Sequence, residues 1–229
     1  MIRILCLAIG YCCGLIETGV LYGKIKGIDI RKYGSGNLGM TNALRVMGPK
    51  AGLVVFIGDL LKAFIPCLIA NITFRNIYPD AYMLYVLYTG FGVVLGHNFP
   101  FYLGFKGGKG ISSSAGAILG LLNPWMCLIL LTIFLVTVLI TRYVSLGSIL
   151  LLLSFAITYV IFALKGMLCF DQNVPDSKAA MIESIVLACI LALLAIIRHK
   201  ENIGRLLRNE ENKLSFRRSK PKPVKTDEE

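Results

Sequence analysis

Charged residues are scarce in this sequence. Asp, Glu, Lys and Arg make up only 16% of its 229 residues, against roughly 25% in an average soluble chain. Apolar residues make up 56%, and the mean hydropathy is +0.71. A soluble domain of this length could not bury so many apolar side chains, so lipid must solvate many of them. The scarcity of charge excludes a soluble globular domain and predicts an all-α integral membrane protein.

Carboxylates are missing from the loops between the apolar runs. No Asp or Glu occurs from Ile30 to Leu53, from Gly96 to Gly110 or from Arg142 to Ser148. Because Mg²⁺ and Zn²⁺ sites need carboxylates or a cluster of His and Cys, we expect no metal and no cofactor. The clustered aspartates of CDP-alcohol phosphotransferases are also absent from these loops.

Other familiar site patterns are absent too. The fifth residue after His97 is Tyr102 and the fifth after His199 is Gly204, so neither belongs to a His-x-x-x-x-Asp acyltransferase motif. There is no Gly-x-Ser-x-Gly elbow. The seven cysteines form no Cys-x-x-Cys pair, and we interpret them as small apolar packing residues.

What the sequence does contain is a series of apolar segments. A bilayer-spanning helix needs about 20 mostly apolar residues. The stretch from Ile111 to Ile140 is too long for one span, and Asn123-Pro124 predicts a turn because proline cannot continue a helix from inside. We therefore predict seven transmembrane helices: Ile4–Tyr22, Ala51–Phe74, Tyr82–Leu95, Ile111–Leu122, Trp125–Ile140, Leu146–Leu164 and Ala179–Ile197.

The distribution of positive charge predicts the orientation. The loop from Lys24 to Lys50 holds six Lys and Arg residues against one acid, Asp29, so it is cytoplasmic by the positive-inside rule. The N-terminus is then outside, and seven spans place the basic C-terminus in the cytoplasm. We expect a membrane domain over residues 1–206 and a basic, disordered cytoplasmic tail over 207–229.

The first cytoplasmic loop alternates glycines with hydrogen-bond donors. Glycines let the backbone approach a ligand closely and turn successive N–H groups towards it. Arg45 adds a planar fork of donors suited to phosphate. The alternative, a flexible loop before a helix, requires fewer donors. The predicted anion-binding groups are Ser35, Gly36, Asn37, Thr41, Asn42 and Arg45.

The second cytoplasmic loop combines glycine with lysine just before the predicted fourth helix. The N–H groups and the dipole of a helix N-terminus favour an anion there. The spacing is not that of a Walker A loop, and no strand precedes it. Beside the first loop, this pattern predicts a second phosphate contact through Lys106, Gly107, Gly108, Lys109 and Gly110.

Two weaker motifs lie at the inner ends of later helices. One, Arg142–Ser148, contains Ser145 and opens the predicted sixth helix, and the other, His199–Arg205, follows the seventh. Each is also what an interfacial basic helix end with capping serines would look like. All the motifs share one side under the predicted orientation, which favours a single cationic phosphate site.

Charged residues also lie inside the first two predicted spans. Asp59 and Lys62 are three residues apart, so they can pair on one helix face. Ionisable groups within a span are functional candidates, although a structural pair is an equal alternative. The role of Glu17 stays open.

Four segments of the chain are shared, in this order and at matching spacing, with a known family. They are Ser35-Gly36-Asn37-x-Gly39-x-Thr41-Asn42-x-x-Arg45-x-x-Gly48, Gly96-His97-x-Phe99-Pro100 with Phe105-Lys106-Gly107-Gly108-Lys109-Gly110, Ser145-Leu146-Gly147-Ser148, and His199-x-x-Asn202-Ile203-x-Arg205-Leu206. The chain resembles the bacterial acyl-phosphate-dependent glycerol-3-phosphate acyltransferases, the PlsY type. Departures such as Met40 for alanine and Lys200 for arginine remove no phosphate-binding group.

The resemblance implies a reaction and a place in the cell. An acyl group passes from acyl phosphate to the 1-hydroxyl of sn-glycerol 3-phosphate, giving lysophosphatidic acid and phosphate in phospholipid biosynthesis, without metal or coenzyme A. The expected location is the bacterial cytoplasmic (inner) membrane, with the active site facing the cytoplasm. Expected partners are the two substrates and membrane lipid, with the enzyme that makes acyl phosphate as a further candidate. No nucleic acid is expected.

We assign roles to individual residues as hypotheses on the same basis. The catalytic set is Ser35, Arg45, His97, Lys106, Lys109 and Ser145. Glycerol 3-phosphate is assigned to Arg45, Lys106, Lys109, Ser145, His199 and Asn202. Acyl phosphate is assigned to Ser35, Gly36, Asn37, Thr41, Asn42, Gly107, Gly108 and Gly110.

Two questions stay open at this stage. The attacking hydroxyl can lose its proton to a substrate phosphate oxygen or to His97, whose alternative role is to tie the end of a helix. A transporter for phosphorylated metabolites and an inactive lipid-binding scaffold are the competing function classes. A transporter is expected to have inverted repeats or broken helices near the midplane, whereas these basic motifs gather at one face.

Overall fold

The elements formed by the described residues are all helical, as the composition predicts. The computed structural model describes residues 1–171 and 173–214, so the last part of the predicted tail, 215–229, lies outside the described residues. The helices are α1 (Ile2–Gly14), α2 (Thr18–Ile25), α3 (Met40–Met47), α4 (Pro49–Ile77), α5 (Tyr82–Asn98), α6 (Ile111–Gly120), α7 (Pro124–Thr141), α8 (Val144–Leu164), α9 (Pro175–Arg198) and α10 (Lys200–Leu207), with 3₁₀ turns at Ile30–Lys32 and Phe101–Leu103.

Five helical segments within the described residues are long and apolar enough to cross a membrane. They are Ile2–Ile25, Pro49–Ile77, Pro124–Thr141, Val144–Leu164 and Asp176–Arg198. The two remaining predicted spans correspond to α5, with 17 residues, and α6, with 10. A helix of ten residues reaches only about 15 Å, half of a hydrocarbon core of roughly 30 Å. The count of seven spans and the orientation stay predictions.

The central helix of the bundle is α5. It packs against α1, α4, α6 and α9, and most of its side chains are buried. Glycines bring α1 and α5 close together: a Cβ added at Gly14 would lie 2.2 Å from the Val93 carbonyl oxygen, and one at Gly96 2.2 Å from that of Tyr11. Small residues permit this close approach of helices in membranes. The tight pair places the C-terminal end of α5, which carries His97, beside the end of α1.

The prediction of one continuous first helix is wrong. The helix ends at Gly14 and a second one begins at Thr18, with Glu17 in an extended conformation between them. The gap is filled by α4: Lys62 Nζ donates to the Ile16 carbonyl at 2.6 Å, and Thr18 Oγ1 donates to Asp59 Oδ1 at 3.0 Å. The Lys62 contact satisfies a backbone carbonyl that the break releases, so the break costs less than it would against lipid.

The predicted break at Asn123-Pro124 is confirmed. α6 ends at Gly120 and α7 begins at Pro124, where proline is tolerated because the first N–H groups of a helix have no internal partner. The Asn123 side chain caps the new helix by accepting a hydrogen bond from the Met126 N–H at 3.0 Å. The chain then reverses again at Arg142, which has a left-handed φ of 60°. α7 therefore returns the chain so that α8 begins beside the start of α6.

Candidate active site

Each of the four motifs forms the start of a helix, and the four starts meet at one cavity. The cavity has a volume of about 750 Å³. Its wall includes first-turn residues of α3, α6, α8 and α10, which are Gly39, Met40, Thr41, Asn42, Gly110, Ile111, Ser112, Val144, Ser145, His199 and Asn202. Motifs that lie far apart in the sequence therefore line the same space.

These four helix starts favour an anion. No side chain caps α3, α6, α8 or α10, and only α10 has an acid in its first turn, Glu201. Unsatisfied N–H groups and the positive end of the helix dipole stabilise a negative ligand at such positions. The cavity thus offers backbone donors from several directions, as a phosphate group requires.

Cationic side chains add to the field of the backbone. Arg45 from α3, Lys109 before α6 and Arg205 from α10 line the same cavity. Burial lowers the pKa of Lys109 to about 8, and the neighbouring charge of Arg205 acts in the same direction. Burial also lowers the pKa of Arg45, but an arginine stays protonated at neutral pH. At pH 7 all three groups carry most of their positive charge.

Lys109 is the lysine of the second loop that lies in the site. Its ammonium group donates a hydrogen bond to Asn202 Oδ1, which joins the second motif to the fourth. Lys106 is exposed and does not line the cavity. The geometry therefore favours Lys109 over Lys106 for both the catalytic and the binding assignments.

The Gly107–Gly108 segment supports the site from outside it. The Gly107 N–H donates to the Asn98 carbonyl and the Gly108 N–H to the His97 carbonyl, at 3.2 and 3.0 Å. Their own carbonyls accept hydrogen bonds from the Arg198 guanidinium, including one of 2.6 Å to Gly108. Since both N–H groups already have partners, these glycines shape the loop and position Lys109.

Asn42 organises the first loop. Its Oδ1 accepts a hydrogen bond from the Ser35 N–H at 2.9 Å, and its Nδ2 donates to the carbonyls of Tyr33 and Asn37 at 3.1 and 2.9 Å. Ser35, Asn37 and Thr41 line the cavity, whereas Gly36 does not. Asn42 therefore holds the loop in place while its neighbours face the cavity.

His199 faces the cavity as a neutral imidazole. Its Nδ1 lies 2.8 Å from the Ala195 carbonyl, which can only accept, so the proton is on Nδ1 and Nε2 is an acceptor. Burial lowers the pKa of His199 to about 4, and the charge of Lys109 contributes in the same direction. An acceptor nitrogen suits a substrate hydroxyl better than a phosphate oxygen.

His97 lines the cavity and belongs to a buried network at its edge, and Asp59 of that network also lines the cavity. Its Nδ1 lies 2.9 Å from Lys62 Nζ and 3.2 Å from Glu17 Oε2, and Lys62 pairs with Asp59 at 3.0 Å. The side chains of all four residues are at most 3% exposed. The ring also lies against Gly108, where an added Cβ would be 2.0 Å from Nε2. These contacts favour a positioning role for His97 under the glycine loop.

The two serines of the third motif differ in their partners. Ser145 Oγ donates to the Glu211 carboxylate at 3.1 Å, whereas Ser148 Oγ donates to the Val144 carbonyl of its own helix at 2.8 Å. Both line the cavity, but only Ser145 directs its donor at an anionic group. Ser145 is therefore the serine that the geometry favours as a ligand.

Three residues of the site escaped the sequence assignments. Arg205 belongs to the family pattern without an assigned role, and Arg198 directly follows the predicted seventh helix without one. Glu211 lies in the cavity although the tail was expected to be disordered. A lone arginine at a helix end gives no signal of its own, so only the contacts reveal these roles. Within residues 1–171 and 173–214, no group of three His, Cys, Asp or Glu side chains could hold a metal ion.

A family model described as glycerol-3-phosphate acyltransferase matches residues 4–209 of the chain. The chain belongs to the glycerol-3-phosphate acyltransferase family. A relative of that name from Chlorobium phaeobacteroides is 41% identical over 227 residues, covering 93% of this chain and 96% of its own. Another, from Fusobacterium nucleatum, is 41% identical over 207 residues and covers 90% and 95%.

Solved acyltransferase structures share the fold. The crystal structure of PlsY (YgiH), an integral membrane glycerol 3-phosphate acyltransferase, in its glycerol 3-phosphate form matches with a TM-score of 0.76 and 33% identity. Its lysophosphatidic acid form matches with a TM-score of 0.74 and 32% identity, and both matches cover 93% of this chain and 96% of PlsY. The predicted family and the multi-pass helical membrane class are confirmed.

Proposed function

We propose that this acyltransferase moves an acyl group from acyl phosphate to the 1-hydroxyl of sn-glycerol 3-phosphate, forming lysophosphatidic acid and inorganic phosphate. The observation that carries the proposal is the convergence of uncapped helix starts with Arg45, Lys109 and Arg205 at one cavity. Both substrates are phosphate monoesters or anhydrides, so one cationic cavity suits both. Acyl phosphate is a mixed anhydride with a good leaving group, and the protein mainly has to position the reactants and stabilise charge.

We assign glycerol 3-phosphate to the side of the cavity built by α8 and α10. Ser145, Asn202, Lys109 and Arg45 hold its phosphate in this proposal, and Arg205 joins them. The acceptor Nε2 of His199 receives a hydrogen bond from a glycerol hydroxyl, which orients the nucleophile. With a pKa of about 4, His199 is too weak a base to keep the proton at neutral pH.

The acyl phosphate is assigned to the side built by the first loop and the start of α6. Ser35, Asn37, Thr41 and Gly110 surround its phosphate, while Asn42, Gly36, Gly107 and Gly108 shape the two loops. The wall also carries Phe56 from α4 and Phe134 from α7, which are apolar contacts for the acyl chain. Attack forms the new ester C–O bond and breaks the C–O bond to phosphate.

The proton of the attacking hydroxyl goes to a phosphate oxygen of the substrate in this proposal. His97 is the rival base, but its Nδ1 accepts from the Lys62 ammonium at 2.9 Å and its Nε2 lies against Gly108. The replacement His97→Ala tests the choice. We expect weaker substrate binding and lower stability through loss of loop support. Loss of turnover with binding of both substrates unchanged would instead identify His97 as the base.

We further propose the bacterial cytoplasmic (inner) membrane as the location, with seven spans, the N-terminus outside and the cavity facing the cytoplasm. The positive-inside distribution of the loops supports this orientation. A cytoplasmic cavity has direct access to glycerol 3-phosphate and to the enzyme that makes acyl phosphate.

The experiment is a reaction of purified protein with palmitoyl phosphate and labelled glycerol 3-phosphate. We expect labelled lysophosphatidic acid and release of one phosphate for each acyl group transferred. Palmitoyl-CoA in place of palmitoyl phosphate should give no product. A folded protein that forms no lysophosphatidic acid from either donor contradicts the enzyme proposal, and product from the CoA ester alone contradicts the donor.

A further inference from the structure

A carboxylate of the chain itself occupies the cationic cavity. Glu211 follows α10, and its side chain is only 7% exposed. Its Oε1 accepts hydrogen bonds from Asn202 Nδ2 at 2.8 Å and Ser145 Oγ at 3.1 Å, and its Oε2 accepts one from Arg205 Nε at 2.8 Å. A carboxylate held by three donors, one of them a guanidinium, makes the contacts that a phosphate oxygen cluster would make.

The donors around Glu211 are those assigned to a substrate. Ser145 and Asn202 belong to the proposed glycerol 3-phosphate side of the cavity, and Arg205 lies beside them. Arg45 and Lys109 are near enough for the charge of Glu211 to raise their pKa values, which partly offsets the effect of burial. Glu211 and a substrate phosphate would therefore bind to the same hydrogen-bond donors and be attracted by the same cations.

The segment around Glu211 crosses from α10 to the α7–α8 turn. α10 ends at Leu207, and the chain turns back at Asn209, which has a left-handed φ of 56°. The Leu214 N–H then donates to the Arg142 carbonyl at 2.7 Å, and the Lys213 ammonium lies 5.7 Å from the Tyr143 ring centre. We call residues 209–214 the strap. It is anchored at both ends, and Glu211 points inward between the anchors.

The strap lies almost entirely beyond the part of the chain that the family model matches. That match ends at residue 209, and Glu211 follows it by two residues. Glu211 therefore lies outside the residues that the family model matches.

We propose that the strap is autoinhibitory: the Glu211 carboxylate occupies the place of the glycerol 3-phosphate phosphate and must leave before this substrate binds. The inference rests on the proposed function of the cavity. A tethered group competes at a high effective concentration even when its intrinsic affinity is low. A dianionic phosphate still displaces it, because it brings more charge and more acceptor oxygens to the same donors.

Competition makes a quantitative prediction for the charge-removing variant Glu211→Gln. If the strap is seated for most of the time, the apparent affinity for substrate is reduced by the open fraction, so removing the charge lowers the KM for glycerol 3-phosphate by about fivefold. The kcat should stay within about twofold, since saturating substrate displaces the strap in either protein. The adjacent Glu210→Gln is the matched control, because Glu210 pairs with Arg208 at an exposed position.

The alternative is that Glu211 holds the hydrogen-bond donors of the cavity in position and so strengthens the binding of glycerol 3-phosphate. In that case Glu211→Gln raises the KM, and this result or an unchanged KM overturns the proposal. Thermal unfolding in detergent shows whether the variant is intact, and Glu211→Ala provides a second test that should also lower the KM.

A binding measurement separates this proposal from the proposed function. Calorimetric titration of the full chain with glycerol 3-phosphate, and separately with inorganic phosphate, requires no acyl donor. Tighter binding of both by Glu211→Gln supports the strap even if no acyl transfer is detected. Acyl transfer by the wild-type protein, with equal affinities in the two proteins, overturns the strap and leaves the function intact.

Discussion

Two clusters of charged side chains lie close together in this protein, and they differ in how their charges are balanced. At the edge of the cavity, Lys62 pairs with Asp59 and contacts His97, which in turn lies beside Glu17, and every one of these groups is buried. In the cavity, Arg45, Lys109 and Arg205 share their space with uncapped helix starts. The buried network pairs Lys62 with Asp59 and places Glu17 beside His97, whereas cations outnumber carboxylates around the cavity.

The two clusters show how charged residues that stabilise the fold of a membrane protein differ from those that bind its ligand. A charge that finds its partner in the protein stabilises the local backbone, here the break between α1 and α2. Around the cavity, where cations outnumber carboxylates, the positive field attracts an anionic ligand. Substitutions in the network should therefore reduce stability first, and substitutions in the cavity should reduce activity first.

The largest effect is expected from Lys62→Met. The replacement leaves Asp59 buried without its cation and removes the donor to the Ile16 carbonyl. Breaking a buried pair from one side costs about 3–5 kcal/mol, which denaturant unfolding in detergent micelles can measure. The double variant Asp59→Asn with Lys62→Met should recover part of this loss. A single variant as stable as the wild type would contradict the division between the two clusters.

Next is Lys109→Ala, with Lys106→Ala as its control in the same loop. Removal of a preorganised charge from a reacting site typically lowers the rate by about 10²–10³-fold, so we expect that loss in kcat/KM for glycerol 3-phosphate. Lys106 is exposed outside the cavity, and its replacement should change kcat/KM by less than about twofold. Equal losses in the two variants would show that position in the loop, not in the cavity, decides the role.

A smaller effect is expected from pH. Burial sets the pKa of Lys109 at about 8, below its ordinary value, so the free site loses this positive charge as the pH rises through 8. The kcat/KM for glycerol 3-phosphate, which reports on the free enzyme, should fall by up to about tenfold for each pH unit above 8. Lys109→Arg keeps its charge in this range and should move the fall to higher pH. The same basic limb in both proteins would assign it to another group.

The last comparison is between the two serines of the third motif. Ser145→Ala removes a hydrogen-bond donor from the proposed phosphate-binding side of the cavity. Because a hydrogen bond to a charged group contributes about 1.5–3 kcal/mol, the KM for glycerol 3-phosphate should rise about tenfold or more. Ser148→Ala should have little effect, since Ser148 donates to its own helix. A larger effect at Ser148 than at Ser145 would reverse the assignment.

Much of this protein could be predicted from sequence because the signals are local. Hydropathy identifies the membrane helices, Asn123-Pro124 breaks one long apolar run, and glycines beside Lys109 and Arg45 identify phosphate loops. Even the family membership follows from short motifs in a fixed order. Each of these properties depends on residues within a few positions of one another.

The remaining features depend on contacts between distant residues, and only the tertiary structure decided them. The break after Gly14 forms because Lys62, 46 positions beyond Ile16, supplies a hydrogen bond to its carbonyl. Lys109 lies in the site and Lys106 does not because the loop folds onto His97 and Arg198. Glu211 enters the cavity because the chain turns back at Asn209. Hydropathy and motif spacing cannot rank these choices, since each is settled by which distant donor satisfies a buried polar group.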